Sequence, residues 1–266
     1  MTMNGPGISK IPFFVISMTK TYRSKSLISY LEKENMSSFH VQGIPGKDIS
    51  LDKYVPNNGM NRSLSRVEIA VGISHIEART MGLSMQSDWI FVLEDDAIIV
   101  DSGNLSKTIM DVTNFFDSNK PIAVSFFAGQ FGVFRKIRMN IKYLKVLKVP
   151  DYSVATLYSK EALVVLNQSI SKQVGQTPDW PPVLKRQLHW YAINDLLIDH
   201  PAINDPNSAS NIREERLKRK EQNNVDVYRL KQILNYINYL MVKPFSYPFP
   251  WGTIETEKLR SRILRF

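Results

Sequence analysis

The sequence predicts an α/β protein with a mostly parallel central sheet and helices on its faces. Short apolar runs rich in β-forming residues, such as PFFVISM and WIFVL, alternate along the chain with segments of helical spacing. This alternation is typical of parallel sheets, because two parallel strands must be joined by a crossover that is usually a helix. With 43% apolar residues among 266, the chain can fill one large core.

The first half of the chain carries the regular part of this pattern. PFFVISM, which begins at Pro12, is a continuous apolar run that predicts a buried strand. Residues 23–35 have helical spacing, and SFHVQ returns to a strand pattern. The glycines and Pro45 of GIPGKDI, residues 43–49, predict a turn. A helix from about Ser65 to Leu83 then leads into the strand WIFVL.

The second half is less regular and mixes strands, helices and loops. Its predicted elements are, in order, a strand at 121–129, an edge strand or hairpin arm at 142–149, a strand and a helix within 152–170, a loop at 178–182 and a long polar helix at about 212–242. Ser159 is the predicted N-cap of the helix within 152–170. We therefore predict one main domain over 1–211 and a helical, basic appendage over 212–266.

Composition excludes some chemistry and suggests acidic partners. The chain has no cysteine, so neither disulfides nor thiolate metal ligands are possible. The first residues lack the pattern of a secretory signal, and no window reaches the roughly 18 apolar residues of a membrane span, which leads us to expect a cytoplasmic protein. The formal net charge is +9, and the segment EKLRSRILRF at 257–266 could lie on an anionic membrane as an amphipathic tail.

Three adjacent carboxylates, Glu94, Asp95 and Asp96, follow the apolar run WIFVL. Like charges repel, and a carboxylate that leaves water without a partner costs several kcal/mol. Side chains alternate along a strand, so Glu94 and Asp96 should point the same way and form an oxygen pair suited to Mg²⁺ or Mn²⁺. A bound cation could also hold a ligand's diphosphate. The alternative is a charged loop that simply ends a strand.

The preceding helix carries a polar stripe. Glu68, Gly72, His75 and Arg79 recur at intervals of four, three and four residues and therefore share one face, while its other faces are apolar enough to predict a helix buried nearly all round. A ligand could approach at Gly72 and be held by the polar groups. The alternative roles are structural, because Ser65 and Glu68 have capping-box spacing and His75 could be a core histidine with its hydrogen bonds satisfied.

These segments, in this order, resemble the signature of glycosyltransferase family 25, the lipopolysaccharide and lipooligosaccharide sugar transferases. The matching segments of the first half are VISM, GIPGKDI, LSRVEIAVGISHIEA and WIFVLEDDAIIV. The resemblance continues through YSVATLYSKEAL, PDWP and HPAINDPNSASNI, and it covers roughly residues 11–212.

The resemblance implies a GT-A-type fold, a nucleotide-sugar-binding α/β sandwich. It also implies an inverting transferase of the bacterial cytoplasm, or of the inner membrane's cytoplasmic face, that moves galactose from UDP-galactose to a glycan or glycolipid. Matched positions imply three kinds of site residue. They are Glu94 and Asp96 as ligands of Mn²⁺ or Mg²⁺, with His200 as the candidate third ligand or, alternatively, a turn-capping residue; Ser17, Glu68, Ser74, His75 and Asp95 around the donor; and Asp179 as the catalytic base or an acceptor contact.

The sequence departs from the family pattern in the helix that precedes the acids. Val67, Ala70 and Val71 stand where the family usually has glycines and a cysteine, and their side chains leave less room for close backbone approach there.

Two rival functions stay open. Another metal-dependent phosphoryl-group enzyme, such as a nuclease or phosphatase, would also need paired acids. A basic nucleic-acid-binding protein without catalysis is the third possibility, but the positive charge is dispersed or late and no RNA-reading module is visible. We therefore expect no nucleic-acid partner.

Overall fold

The computed structural model describes residues 8–19, 22–49, 65–127, 133–137, 140–148, 153–169 and 187–200. The helices in these ranges are α1 (Tyr22–Lys33), α2 (Arg66–Ser84), α3 (Ser102–Phe115) and α4 (Lys160–Gln168). The strands are β1 (Phe13–Ser17), β2 (Ser38–Gln42), β3 (Trp89–Glu94), β4 (Ile98–Ile99), β5 (Ile122–Ser125), β6 (Val133–Ile137), β7 (Asn140–Lys148), β8 (Ala155–Ser159), β9 (His189–Ile193) and β10 (Ile198–Asp199).

The central sheet contains eight of these strands in the order β2-β1-β3-β8-β5-β9-β7-β6. The pairings β1–β2, β1–β3 and β5–β9 are parallel, and the other four are antiparallel. Six strands consequently run in one direction, and only β8 and β7 run against them. The prediction of a mixed α/β protein with a mostly parallel sheet is confirmed. Strands β4 and β10 form a separate antiparallel pair.

Helices cover both faces of the sheet. Because side chains alternate along a strand, each buried strand sends side chains into both of the cores that these helices form with the sheet. All five residues of β1 are buried, as are the first five of β3. Phe13 and Val15 join a core cluster with residues of α1 and α3, whereas Phe14 and Ile16 join a second cluster with residues of α2 and α4. The continuous apolar runs in the sequence therefore reflect burial on both sides.

The predicted helix ends are confirmed at two serines. Ser65 accepts a hydrogen bond from the Glu68 amide, and the Glu68 side chain accepts one from the Ser65 amide, which completes the capping box of α2. Ser159 caps α4 by accepting a hydrogen bond from the Ala162 amide at 3.1 Å. The same hydroxyl donates to the carbonyl of Lys120 at 2.6 Å, so it also joins α4 to the start of β5.

The segment predicted as an edge strand or hairpin arm is a hairpin arm. Strand β7 pairs with β6 on one side and with β9 on the other, which places it inside the sheet. None of the helices in the described ranges has the length and apolar character needed to cross a bilayer. The predicted loop at 178–182, the long helix at 212–242 and the appendage over 212–266 lie outside the described residues.

Candidate active site

The three acids lie at the carboxyl end of β3, next to the carboxyl end of its parallel neighbour β1. Ligands of open α/β sheets bind at this edge. Strand β3 ends at Glu94, and the following residues form a turn in which the Ala97 amide donates to the Glu94 carbonyl at 3.1 Å. Strand alternation therefore stops at Glu94, and each of the three carboxylates meets a different neighbour.

Glu94 faces helix α2 and the segment before β8. Its Oε1 accepts hydrogen bonds from His75 Nε2 and from Ser153 Oγ, each at 3.0 Å. A carboxylate oxygen can only accept, so both neighbours act as donors. The His75 side chain is 2% exposed and that of Glu94 is 25% exposed, so this group lies at the boundary between the core and the sheet edge.

Asp95 faces the end of β1. Ser17 Oγ donates to Asp95 Oδ2 at 2.9 Å, and the Asp95 amide donates to the carbonyl of Ile16 at 3.0 Å. Ser17 is buried. Ser17 and Asp95 are therefore in direct contact, and their role toward a sugar donor stays a prediction.

Asp96 faces His200, which follows β10. His200 Nε2 lies 3.1 Å from Asp96 Oδ2, and the His200 ring stacks on Phe127 with 5.8 Å between ring centroids. Burial raises the pKa of the Asp96 carboxyl, but the hydrogen bond and charge of His200, together with the Arg23 guanidinium, outweigh it and hold the pKa below its ordinary value. The charged form of Asp96 is therefore favoured in the fold.

The second oxygen of Asp96, Oδ1, is buried and has no hydrogen-bond partner among the described residues. A buried carboxylate oxygen without a partner is costly, and a divalent cation is one ligand that would remove this cost. Asp96 thus fits a cation as an oxygen ligand, and His200 could add a nitrogen ligand only in its neutral form, in which it no longer supplies a charge to Asp96. Within the described ranges, no group of three or more His, Asp and Glu side chains could hold a metal ion.

The polar stripe of α2 turns toward the interior. Glu68, His75 and Arg79 are each buried, whereas Ile73 and Ile76 on other faces are only partly buried. The expectation of a helix buried nearly all round was wrong in this respect, because Glu77 and Met81 are exposed. The buried polar groups have partners at the helix cap or on the sheet. Arg79 is one such case: it hydrogen-bonds Tyr158 of β8, although burial outweighs this contact and raises the pKa of the Tyr158 hydroxyl.

Ser74 and Glu68, which were predicted to contact the sugar donor, have structural partners within the protein instead of facing an open surface. Ser74 Oγ donates to the Ala70 carbonyl at 2.8 Å and accepts from the Ile44 amide at 3.1 Å, so it ties α2 to the chain after β2. Glu68 serves the capping box of α2. Their predicted contacts to a donor are untested. Asp179, the predicted base, lies outside the described residues.

The structure brings two further residues to this edge that sequence reasoning did not select. Ser153 contacts Glu94, and Arg23 of α1 acts electrostatically on Asp96. Ser153 lies in YSVATLYS, which already reads as the approach to a strand, and Arg23 follows the first strand closely. Their positions suggested proximity to the sheet edge, but nothing in their spacing indicated which acid each would meet.

Comparison with known families defines the class of protein as a glycosyltransferase. The family described as glycosyltransferase family 25 (LPS biosynthesis protein) matches residues 10–174, which is more than half of the chain. The chain belongs to this family. No curated protein matches it.

Solved structures show weaker likenesses. One is a glycosyltransferase involved in the glycosylation of the major capsid of PBCV-1, with 13% identity, a TM-score of 0.36 and coverage of 66% of this chain and 73% of that chain. Another is the inositol-1-phosphate CTP transferase from T. maritima, with 12% identity, a TM-score of 0.43 and coverage of 82% of this chain and 98% of that chain. Likenesses this low say nothing about donor or acceptor.

Proposed function

We propose that the protein is a metal-dependent inverting glycosyltransferase that moves galactose from UDP-galactose to a lipooligosaccharide or another surface glycan. Family membership supports the transferase class. The observation that carries the metal dependence is the pairing of Asp96 with His200, which leaves one buried oxygen of Asp96 without a partner among the described residues. A divalent cation bound there would neutralise charge on the donor diphosphate.

In this proposal, the chain's own groups hold the donor at the carboxyl edge of the sheet. Ser17 and Asp95 are already joined at 2.9 Å and would contact the donor from the end of β1. Asp96, together with His200 in its neutral form, would hold the cation. The acceptor hydroxyl attacks the anomeric carbon from the face opposite the diphosphate, the bond to UDP breaks, and the hydroxyl proton passes to the base, for which Asp179 is our candidate. General-base help of this kind contributes about 10²–10⁴-fold.

The test compares UDP-galactose, UDP-glucose and UDP-N-acetylglucosamine, each with Mn²⁺ and with chelator. A donor present at about 100 times its Kd stabilises the folded state by about 2.7 kcal/mol, which corresponds to a rise in Tm of about 5–10 °C for a domain of this size. We expect such a rise, and slow donor hydrolysis, with UDP-galactose and Mn²⁺ only. Indifference to all three donors together with tight DNA binding, or phosphatase activity on simple phosphate esters, would replace this function with one of its rivals.

The role of Asp179 has its own test. Asp179→Asn removes the proton acceptor but leaves the predicted donor contacts in place, so kcat should fall by about 10²–10⁴-fold with little change in donor Kd. Transfer rates and isothermal titration with UDP separate the two effects. A collapse of donor affinity in this variant would show that Asp179 binds the donor instead.

A further inference from the structure

We infer that His75 and Ser153 hold the Glu94 side chain in place, an arrangement called the clamp below. The clamped Glu94 is then a positioning residue for the acidic turn, residues 94–97, and not a metal ligand. This inference rests on the proposed function, because it concerns the same site. It names a role for Ser153 and changes the roles predicted for Glu94 and His75.

The contact geometry shows a closed set of three polar atoms. Glu94 Oε1 lies 3.0 Å from His75 Nε2 and 3.0 Å from Ser153 Oγ, and the last two atoms lie 3.3 Å apart. A carboxylate oxygen offers two lone pairs, and both are used by these donors. Hydrogen bonds to a carboxylate are among the stronger ones, so they hold the side chain in one orientation.

Burial makes the clamp rigid. His75 and Ser153 are both buried, so water does not compete for their hydrogen bonds. His75 projects from the middle of α2, and Ser153 immediately precedes Val154, whose carbonyl accepts the Glu94 amide at 2.8 Å. The Glu94 side chain is thus held by α2 and by the segment before β8, and the Glu94 backbone is held by the same segment before β8.

Because of the clamp, the Glu94 side chain contacts different groups from those that Asp96 contacts. Glu94 meets α2 and the approach to β8, whereas Asp96 meets His200. Within the described residues, Glu94, Asp96 and His200 do not form a set of three that could hold an ion. The turn that carries Asp95 and Asp96 starts at the Glu94 carbonyl, which accepts the Ala97 amide. Fixing Glu94 therefore fixes the point from which both following carboxylates project.

The decisive comparison is between Glu94→Gln, Glu94→Ala and Asp96→Asn. Glutamine keeps an acceptor oxygen for His75 and Ser153, so a positioning residue should tolerate it and a metal ligand should not. We expect Glu94→Gln to keep kcat and the half-saturating Mn²⁺ concentration within about threefold, and Glu94→Ala to lower kcat by about 10–100-fold, as loss of supporting contacts does in metal sites. Asp96→Asn, which removes a proposed metal ligand, should abolish Mn²⁺-dependent turnover.

Amide hydrogen exchange in the intact chain tests the clamp itself and needs no activity assay. Ser153→Ala should speed exchange of the Glu94 and Ala97 amides by about tenfold or more, because the turn loses one of its supports. Ser87→Ala is the matched control: Ser87 hydrogen-bonds Trp89 and Lys10 at the other end of β3, and its loss should leave exchange at the acidic turn unchanged. Ser153→Thr keeps a hydroxyl and should restore protection.

Two results would overturn the inference. One is a Glu94→Gln variant that loses Mn²⁺-dependent turnover as completely as Asp96→Asn does. The other is unchanged amide exchange at the acidic turn in Ser153→Ala. A wild-type protein with no Mn²⁺-dependent transfer would instead remove the proposed function, and the exchange experiment would still decide whether the clamp exists.

Discussion

At the scale of single residues, the three adjacent acids are tolerated because each has its own partner. Glu94 meets His75 and Ser153, Asp95 meets Ser17, and Asp96 meets His200. Hydrogen bonds to a carboxylate offset part of the free-energy cost of removing it from water. The repulsion that makes this triplet unusual in the sequence is therefore offset by contacts that come from three different parts of the chain.

Asp96 provides the first test at this scale. Asp96→Asn should abolish Mn²⁺-dependent turnover while the chain stays folded, because asparagine can still accept the hydrogen bond from His200. Transfer assays and circular dichroism measure the two effects. Asp117→Asn, at an exposed acid near the opposite edge of the sheet, should leave both unchanged. Full activity in Asp96→Asn would eliminate the proposed metal role.

Tyr158 provides a pH prediction. Burial raises the pKa of its hydroxyl in the folded state, so above the ordinary tyrosine pKa of about 10 the unfolded state loses this proton first. The stability contribution of Tyr158 is therefore fully present at lower pH and is lost as the pH rises above about 10. Urea unfolding between pH 8 and 11 should show a shallower loss of stability in Tyr158→Phe than in wild type. Tyr22→Phe, at an exposed tyrosine, should follow the wild-type curve.

Sequence spacing predicted which residues of α2 would share a face, and the burial of Glu68, His75 and Arg79 agrees with it. Helical geometry is local, so spacing was sufficient. The relation of Glu94 to Asp96 was not predictable in the same way, since the strand ends at Glu94. The contact of Ser153 with Glu94 joins residues 59 positions apart in the chain, and only the packing of β8 against β3 brings them together.

At the scale of elements, helix α2 is the clearest case of local determination. Its capping box, predicted from Ser65 and Glu68, is formed by reciprocal hydrogen bonds. Other elements carried weaker signals. Helix α3 has Asp101 as its N-cap and buries Leu105, Ile109 and Val112, a helical spacing that was present in the sequence but was not assigned. Strands β4 and β10 have two residues each and gave no periodic signal at all.

The cap of α2 can be tested directly. Ser65→Ala removes the acceptor for the Glu68 amide and should lower the free energy of unfolding by about 1 kcal/mol. Chemical denaturation measures this change. Ser84→Ala, at the exposed carboxyl end of the same helix, should change stability by less than about 0.5 kcal/mol. Equal effects of the two substitutions would show that the capping box contributes nothing.

At the scale of the whole molecule, the positive charge gives one prediction about partners. We propose that the basic, amphipathic segment 257–266 attaches the protein to the cytoplasmic face of the bacterial inner membrane. Each Lys or Arg near an anionic surface contributes about 1 kcal/mol. Sedimentation with vesicles containing phosphatidylglycerol should therefore carry down the full chain at low salt. Removal of 257–266 should abolish this binding, whereas zwitterionic vesicles should bind neither form.

The sequence by itself determined the class of the fold, the family and the main helices and strands of the first half. These depend on hydrophobic periodicity, capping residues and turn residues, all of which act between near neighbours in the chain. It also indicated that the acids lie at a carboxyl edge, because they directly follow an apolar strand within an alternating strand and helix pattern, and the parallel pairing of β1 with β2 and β3 agrees with this.

Only the tertiary structure decided the strand order, the insertion of β8 between β3 and β5, and the partner of each acid. These are contacts between distant parts of the chain, and they depend on how whole elements pack against each other. Ser153 reaches Glu94 because β8 lies beside β3, and His200 reaches Asp96 because β10 pairs with β4 just after the acidic turn. Local patterns hold no information about such pairings, so the chemistry of this edge emerges only when the sheet has formed.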